Sequence, residues 1–196
     1  MPPANRLWLI RHGETEWSLS GAHTGRSDIP LTPKGREQAA ALGRYFSGRK
    51  FDMVLASPLQ RALETCRLAG YGDAAVVEPN LCEWNYGSYE GRTTAEIGRD
   101  RPDWFLWRDG VPDGETVEQV AARADAVLQR VQWGAPPEGE AALFAHGHIL
   151  RILTARWLGL EPAGGRLFAL GTASVSTLGY ERDTRVITRW NLSPAE

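Results

Sequence analysis

Apolar positions along the chain fall into two rhythms. Leu7-Trp8-Leu9-Ile10, Met53-Val54-Leu55-Ala56 and Ala141-Ala142-Leu143-Phe144-Ala145 are short unbroken apolar runs, the pattern of strands buried on both faces. Ala74-Ala75-Val76-Val77 is a weaker fourth run. Between them the period changes to that of a helix. Thr32 is placed to cap a helix with Pro33 at its first position, running to about Phe46 with Ala39, Leu42 and Phe46 on one stripe. Ser57-Pro58 predicts a second helix start of the same kind, with Leu59, Ala62, Leu63 and Cys66 at i, i+3, i+4 and i+7. Thr116 and Gln119 form a capping box ahead of the longest stripe, Val117, Val120, Ala121, Ala124, Val127, Leu128 and Val131. A turn is predicted at Ala135-Pro136-Pro137-Glu138-Gly139. A last helix is predicted from about Ile149 to Leu158, stopped by Gly159, and two late strands near residues 174–180 and 185–190. The first strand is expected to end at Arg11-His12-Gly13, and the segment that follows, through Pro30, reads as loop. Residues 79–114, rich in Gly, Pro and Trp, read as a loop-rich excursion with short helices, because no strong periodicity of their own marks them as a separate domain.

Strands alternating with helices predict an α/β fold, a three-layer sandwich with a mostly parallel central sheet and helices on both faces. At 196 residues the chain is expected to be a single domain, 1–196, with the excursion at about 79–114 covering the active site. In such sheets ligands bind beyond the carboxyl ends of the strands. That rule selects Arg11-His12 after the first strand, Ser57 after the second and His146-Gly147-His148 after the fourth. Arg61 falls in the first turn of the helix after the second strand, and helical side chains lean toward the N-terminus. Two arginines and up to three histidines therefore converge on one rim.

Composition narrows the partners. The formal charge is −2, so there is no bulk basic footprint for nucleic acid. No apolar run approaches a membrane span, and Met1-Pro2-Pro3-Ala4-Asn5-Arg6 leads into the first strand without an apolar leader, which predicts a cytoplasmic protein. Cys66 and Cys82 then read as reduced thiols, with Cys66 on a core stripe. Lys34 and Lys50 are the only lysines among 22 basic residues; that bias is mostly background. The few histidines (His12, His23, His146 and His148) carry more information.

Guanidinium groups beside imidazoles suit a phosphoryl group. Its transfer spreads charge over three equatorial oxygens, and arginine offers permanently charged, bidentate donors for them. Helix N-termini after the second and fourth strands are expected to add backbone N–H groups. Neutral imidazole can attack phosphorus, and a general acid must then protonate the leaving alcohol. A metal at His146-Gly147-His148 is the competing reading, but a cation there would sit beside two fixed positive charges.

The blocks Leu9-Ile10-Arg11-His12-Gly13-Glu14-Thr15-Glu16-Trp17, Thr24-Gly25, Asp28 to Gly35, Ser57-Pro58-Leu59-Gln60-Arg61-Ala62-Leu63-Glu64-Thr65, Leu81-Cys82-Glu83 with Tyr86-Gly87 and Glu90-Gly91, and Ala145-His146-Gly147-His148 resemble, in order, the motifs of the histidine phosphatase superfamily, in its phosphoglycerate mutase-like branch. The resemblance covers nearly the whole chain. It implies that His12 is the phosphorylated nucleophile, that Arg11, Arg61 and His146 complete a phosphate pocket, and that Glu83 is the proton donor. It implies substrate contacts at Ser18, Thr24, Gly25, Tyr86 and Gly147. Ser18 departs from the pattern, since many members carry Asn there. No metal or diffusible cofactor is expected. The run after Glu83, Trp84-Asn85-Tyr86-Gly87-Ser88-Tyr89-Glu90-Gly91, is closer to the phosphatase members than to the mutases. Trp104 to Gly110 with Gly114-Glu115-Thr116 is similar to members acting on sugar phosphates or described as acid phosphatases.

The expected function is therefore hydrolysis of small phosphate monoesters, with a phosphoglycerate mutase-type phosphomutase and, in another class, a catalytically idle phospholigand-binding module as alternatives. The expected partner is a small phosphate ester, with no nucleic acid and no membrane; a homodimer stays open. Trp84, Trp104 and Trp107 read as core, Trp84 being the first exception to expect. His23 is open between substrate and solvent, and His148 reads as a helix-start residue near the rim. Glu14 and Glu16 are open between solvent and bracing Arg11. Arg92, Arg99, Arg101 and Arg108 read as a solvated face, with a second-phosphate contact by one of them, Arg108 foremost, held open.

Overall fold

The chain alternates its apolar side chains between two faces of one sheet, and both faces are covered. The computed structural model describes residues 6–136 and 138–194; Met1 to Asn5 and Pro137 of the predicted turn lie outside the described residues. In β1 (Arg6–Arg11) Leu7 and Leu9 join one buried cluster, and Trp8 and Ile10 join the other. β2 (Met53–Ala56) and β4 (Glu140–Ala145) divide in the same way, with Leu55 and Leu143 on the first side and Val54 and Phe144 on the second. This two-sided burial is why these strands read as continuous apolar runs rather than alternating ones.

The six strands lie in the order β3-β2-β4-β1-β5-β6, with β3 at Ala75–Val77, β5 at Val175–Glu181 and β6 at Thr184–Leu192. The pairs β3/β2, β2/β4 and β4/β1 are parallel, whereas β1/β5 and β5/β6 are antiparallel. The predicted mostly parallel sheet is thus a mixed sheet whose late strands form an antiparallel edge.

One face carries α2 (Pro33–Phe46) and α3 (Gln60–Leu68); the other carries α6 (Val117–Gly134) and α7 (Gly147–Trp157). Thr32 caps α2 through Gly35 N, and Thr116 and Gln119 form the predicted box on α6. Three starts differ from expectation. The predicted loop after β1 contains α1 (Glu16–Ser20), opened by a capping box between Thr15 and Ser18. α3 begins at Gln60 with no side-chain cap, because Ser57 is engaged elsewhere. α7 begins two residues early, with His146 at its N-cap.

Residues 79–114 contain α4 (Thr94–Asp100), α5 (Leu106–Asp109) and two 3-10 turns. Their large apolar residues, including Leu81, Trp84, Ile97 and Trp107, join the same cluster as α6 and α7. Among the described residues, no helix is long and apolar enough to cross a membrane.

Candidate active site

The site grows from the ends of three neighbouring parallel strands. Arg11 pairs with Ala145 in the β1/β4 ladder, and His12 N donates to Ala145 O at 3.0 Å. His12 and His146 therefore leave the sheet side by side, with ring centroids 5.2 Å apart. Ser57 follows β2 on the other side of β4, its amide on Phe144 O at 2.9 Å. The turn after His12 is pressed against the start of α2: a Cβ on Gly13 would lie 2.4 Å from Gly35 O. Gly13 N also donates to Thr65 Oγ1 of α3.

The hydrogen bonds settle the imidazole tautomers. His12 Nδ1 lies 2.7 Å from Gly13 O. A carbonyl only accepts, so Nδ1 carries the proton and Nε2 presents its lone pair. Burial, reinforced by Arg11 and Arg61, pulls the His12 pKa well below 6.5, so the ring is neutral at neutral pH. His146 accepts from Arg61 Nε at its Nδ1, 3.1 Å, so its proton sits on Nε2, 2.7 Å from Ser57 Oγ. Burial and then Arg61 hold His146 neutral as well.

Arg61 is fully buried. Its Nη1 donates to Ser27 O at 2.8 Å, and its Nη2 donates to Thr24 O at 3.2 Å and Gly25 O at 3.0 Å. The loop supplying those carbonyls is held in turn by Glu90 Oε1, which accepts from Gly25 N and Ser27 N. Arg11 lies at the mouth. Its Nη1 donates to Leu170 O at 2.5 Å, and its buried Nε has no partner. A buried guanidinium N–H without an acceptor fits a site built for an anion. Burial lowers both guanidinium pKa values, with Glu83 opposing, and arginine remains charged throughout.

Glu83 sits at the N-terminus of α7. Its Oε1 accepts from Trp84 N and Ile149 N and its Oε2 from His148 N, each at 2.9 Å. Arg123 of α6 fixes the segment beneath it, donating to Asn80 O, Cys82 O and Glu83 O. The N-terminus of α3 is likewise occupied, Gln60 N donating to Asp28 Oδ1. The expectation that both helix N-termini aim their amides at a ligand is therefore corrected in part. Gln60 N, His148 N and Ile149 N are taken by protein carboxyl groups, while Gly147, the first residue of α7, lines the cleft.

A cleft of about 180 Å³ opens over these groups, lined by Arg11, His12, Ser18, Thr24, Glu83, Tyr86 and Gly147 among others. Arg61, His146 and Gly25 lie behind it. The Ser18 hydroxyl is engaged in the α1 cap, accepting from Thr15 N and donating to Thr15 O. Tyr86 OH lies 2.6 Å from His148 Nδ1. Burial raises the phenol pKa and lowers that of His148, so both groups are neutral. His23 and His148 both line the cleft. Trp84 is fully buried and outside it, its indole N–H on Glu115 O, so the predicted exception among the tryptophans is not one. Glu14 accepts from Thr32 Oγ1. Of the arginines flanking the excursion, Arg92 pairs with Asp100, Arg108 with Asp109 and Arg101 with Tyr89 OH, and none lines the cleft.

Five lining residues were not expected at the site: Trp17, which the sequence shows only as the end of the first motif block, Gly21, Ala22, Arg151 and Leu170. Ser57 also went unassigned as a partner of His146. Arg151 was detectable in principle, because it lies one helical turn beyond Gly147 and shares its face.

Comparison with known proteins finds phosphatases and, at lower identity, probable phosphoglycerate mutases among the relatives. The family model for the histidine phosphatase superfamily (branch 1) matches residues 7–193. The chain is 41% identical over 183 residues to an acid phosphatase of Mycobacterium tuberculosis, spanning 92% of this chain and 89% of the relative. It is 37% identical over 185 residues to a sedoheptulose 1,7-bisphosphatase of Saccharomyces cerevisiae, spanning 79% and 68% respectively. A solved, functionally characterised open reading frame product of M. tuberculosis superposes with a TM-score of 0.91 at 40% identity, over 97% of this chain and 98% of that one.

Proposed function

The chain belongs to the histidine phosphatase superfamily, and from that premise we propose that it hydrolyses small phosphate monoesters, sugar phosphates and related metabolites, through a phosphohistidine on His12. The observation that carries this reading is the His12 ring itself. It is neutral, with Nδ1–H tied to Gly13 O, so Nε2 is left as nucleophile in a cleft lined by a guanidinium and a carboxyl group.

In the first step His12 Nε2 attacks phosphorus, the ester P–O bond breaks, and Glu83 gives its proton to the departing alkoxide. Arg11, with Arg61 and His146 behind the nucleophile, stabilises the charge on the phosphoryl oxygens. In the second step water attacks the phosphohistidine, Glu83 takes a proton from it, and the P–N bond breaks to release phosphate and restore neutral His12. Ser18, Thr24, Tyr86 and Gly147 contact the body of the substrate. Gly25 acts from behind, its carbonyl orienting Arg61. The arginines supply the charge that a metal ion supplies in other phosphatases, so the reaction is proposed to be metal-independent. We read residues 1–196 as one domain with the excursion as its roof. A cytoplasmic setting and the absence of a nucleic-acid partner belong to the same proposal.

The test is hydrolysis of an aryl phosphate and a panel of sugar phosphates in EDTA, with an acid-labile label trapped on His12. His12→Ala should abolish turnover and label together. Full activity in that variant refutes the mechanism. Label passing to a phosphoglycerate rather than to water identifies a mutase. Phosphate binding without turnover on any ester identifies an idle binding module.

A further inference from the structure

We infer that the chain carries an anion site remote from the cleft, which binds a phosphate dianion between the start of β1 and the outer strands β5 and β6. The site goes beyond the reaction proposed for His12 and does not depend on it.

A cavity of about 250 Å³ lies there, lined by Arg6, Trp8, Arg49, Thr177, Thr188 and Arg189. It is smaller than a drug-sized pocket, ~300–1,000 Å³, and suits a group of a few atoms. Arg6 precedes His12 along β1 by about 20 Å. The sheet register builds the lining. Trp8 pairs with Thr177 across β1 and β5, and Thr177 with Arg189 across β5 and β6. Residues opposite one another share a face, so these three form a row across the sheet. Arg6, two residues before Trp8, stands on the same face. Strict alternation would send Thr188 to the other face. The register slips at this point, since Thr177 lies opposite Arg189 and Leu178 opposite Ile187, so Thr188 is an extra residue in β6. The bulge turns Thr188 back, and its hydroxyl meets Thr177 Oγ1 at 2.6 Å. Arg49, beyond the end of α2, lies over the row with its guanidinium carbon 4.6 Å from the centroid of the Trp8 ring.

The charges do not balance. Three guanidinium groups line the cavity and, among the described residues, no carboxylate does. Glu140 serves two of them, its Oε1 accepting from Arg6 at 3.3 Å and its Oε2 from Arg49 at 2.7 Å. Arg189 donates to Tyr45 OH at 3.4 Å and pairs with no carboxylate among the described residues. One carboxylate against three fixed positive charges leaves two uncompensated, in a chain whose formal charge is −2. That excess matches a dianion, and guanidinium forks match phosphoryl oxygens in geometry. The Trp8 indole is an independent sign of a missing acceptor. Trp8 is buried in the lining, and its N–H has no partner among the described residues. A buried donor left open is destabilising, and an acceptor oxygen in the cavity removes that cost.

The experiment titrates inorganic phosphate into the whole protein, isotopically labelled on nitrogen, and follows the indole N–H signals by NMR. Each is assigned through its own backbone amide, so no buried residue needs to be replaced. Trp17 lines the cleft and reports binding there; Trp8 reports the remote site. Both signals should move, each with its own affinity. Arg189→Ala, an exposed position, should weaken phosphate at Trp8 about 10-fold, the size of one charge-assisted hydrogen bond. It should leave the Trp17 titration and kcat/KM for an aryl phosphate unchanged. Arg189→Lys should recover part of the loss. A sugar phosphate titrated into His12→Ala separates the two sources of the dianion. Tighter binding at Trp8 than that of inorganic phosphate identifies the terminal phosphate of an ester, and equal or weaker binding identifies free phosphate. The site is overturned by a Trp8 signal that stays still while that of Trp17 saturates. It is overturned equally by a Trp8 shift that chloride reproduces at the same ionic strength, or one that Arg189→Ala leaves unchanged. Each of these results leaves the phosphatase reading intact, which fails only if the cleft hydrolyses no ester.

Discussion

Glu83→Gln separates two things that the Glu83 carboxyl does at once. The substitution preserves shape. The amide oxygen can still accept from Trp84 N and Ile149 N, as Oε1 does now at 2.9 Å. The third amide, His148 N, then faces an NH₂ group where it now meets Oε2 at 2.9 Å, so donor meets donor. Losing that bond costs about 1–3 kcal/mol. With a loss of ~2 kcal/mol and ~2–4 °C per kcal/mol for a chain of this size, Tm should fall by about 4–8 °C. Kinetically, the variant cannot protonate the leaving group. Loss of a general acid lowers kcat/KM by about 10²–10⁴ for an alkyl phosphate. A nitrophenolate leaves without that help, so the aryl phosphate should lose far less. The ratio of kcat/KM for the two esters is the right assay, since it reports formation of the phosphohistidine and not its hydrolysis. Equal losses on both esters would refute Glu83 as the acid. An unchanged Tm would refute its role as the anchor of α7.

Three further outcomes follow from the same geometry. His12, His146 and His148 all have pKa values held well below 6.5 by burial; the unfolded chain therefore takes up protons first, and stability present above about pH 6.5 should decline as pH falls toward the lowered folded values. A Tm that is flat from pH 7.5 to 5 contradicts this. Gly13→Ala places a Cβ 2.4 Å from Gly35 O, and Gly35→Ala one 2.1 Å from Glu14 O. Both neighbours are backbone, so each should cost about 2–3 kcal/mol in urea unfolding. Thr116→Ala removes the cap on Gln119 N and should cost about 1 kcal/mol with kcat/KM unchanged, a remote control for the Glu83 variant.

Local chemistry made much of this molecule legible. Thr32-Pro33 and Thr116 with Gln119 mark helix starts because the capping partners lie within three residues. The apolar runs mark β1, β2 and β4 because both faces of each are buried. The strand-end rule then brings His12 and His146 together before any tertiary contact is known. What stayed hidden depends on partners distant in sequence. Ser57 has the look of a helix cap, but its hydroxyl is used by His146, 89 residues away. Ser18 reads as a substrate contact and is first a capping residue of α1. Glu83 on α7, Arg123 beneath it and Arg151 in the cleft wall join segments that no periodicity links. The antiparallel β5 and β6 read as strands, but apolar pattern carries no sign of direction.

The ladder between β1 and β4 has a consequence for how such a site can diversify. Both histidines follow the same last rung, Arg11 with Ala145, on neighbouring strands, so their separation is tied to the spacing of those strands, ~4.8 Å, a length the whole sheet maintains. The floor behaves as a ruler. The roof packs its apolar residues onto α6 and α7, and it is fixed to the ruler's end where Glu83 clasps the first turn of α7. Insertions and deletions beyond Glu83, between residues 86 and 114, therefore change the shape above the ruler and not its graduations. A chain built this way can exchange one ester for another by rewriting surface loops, while the distance over which phosphorus is handled stays that of a β-sheet.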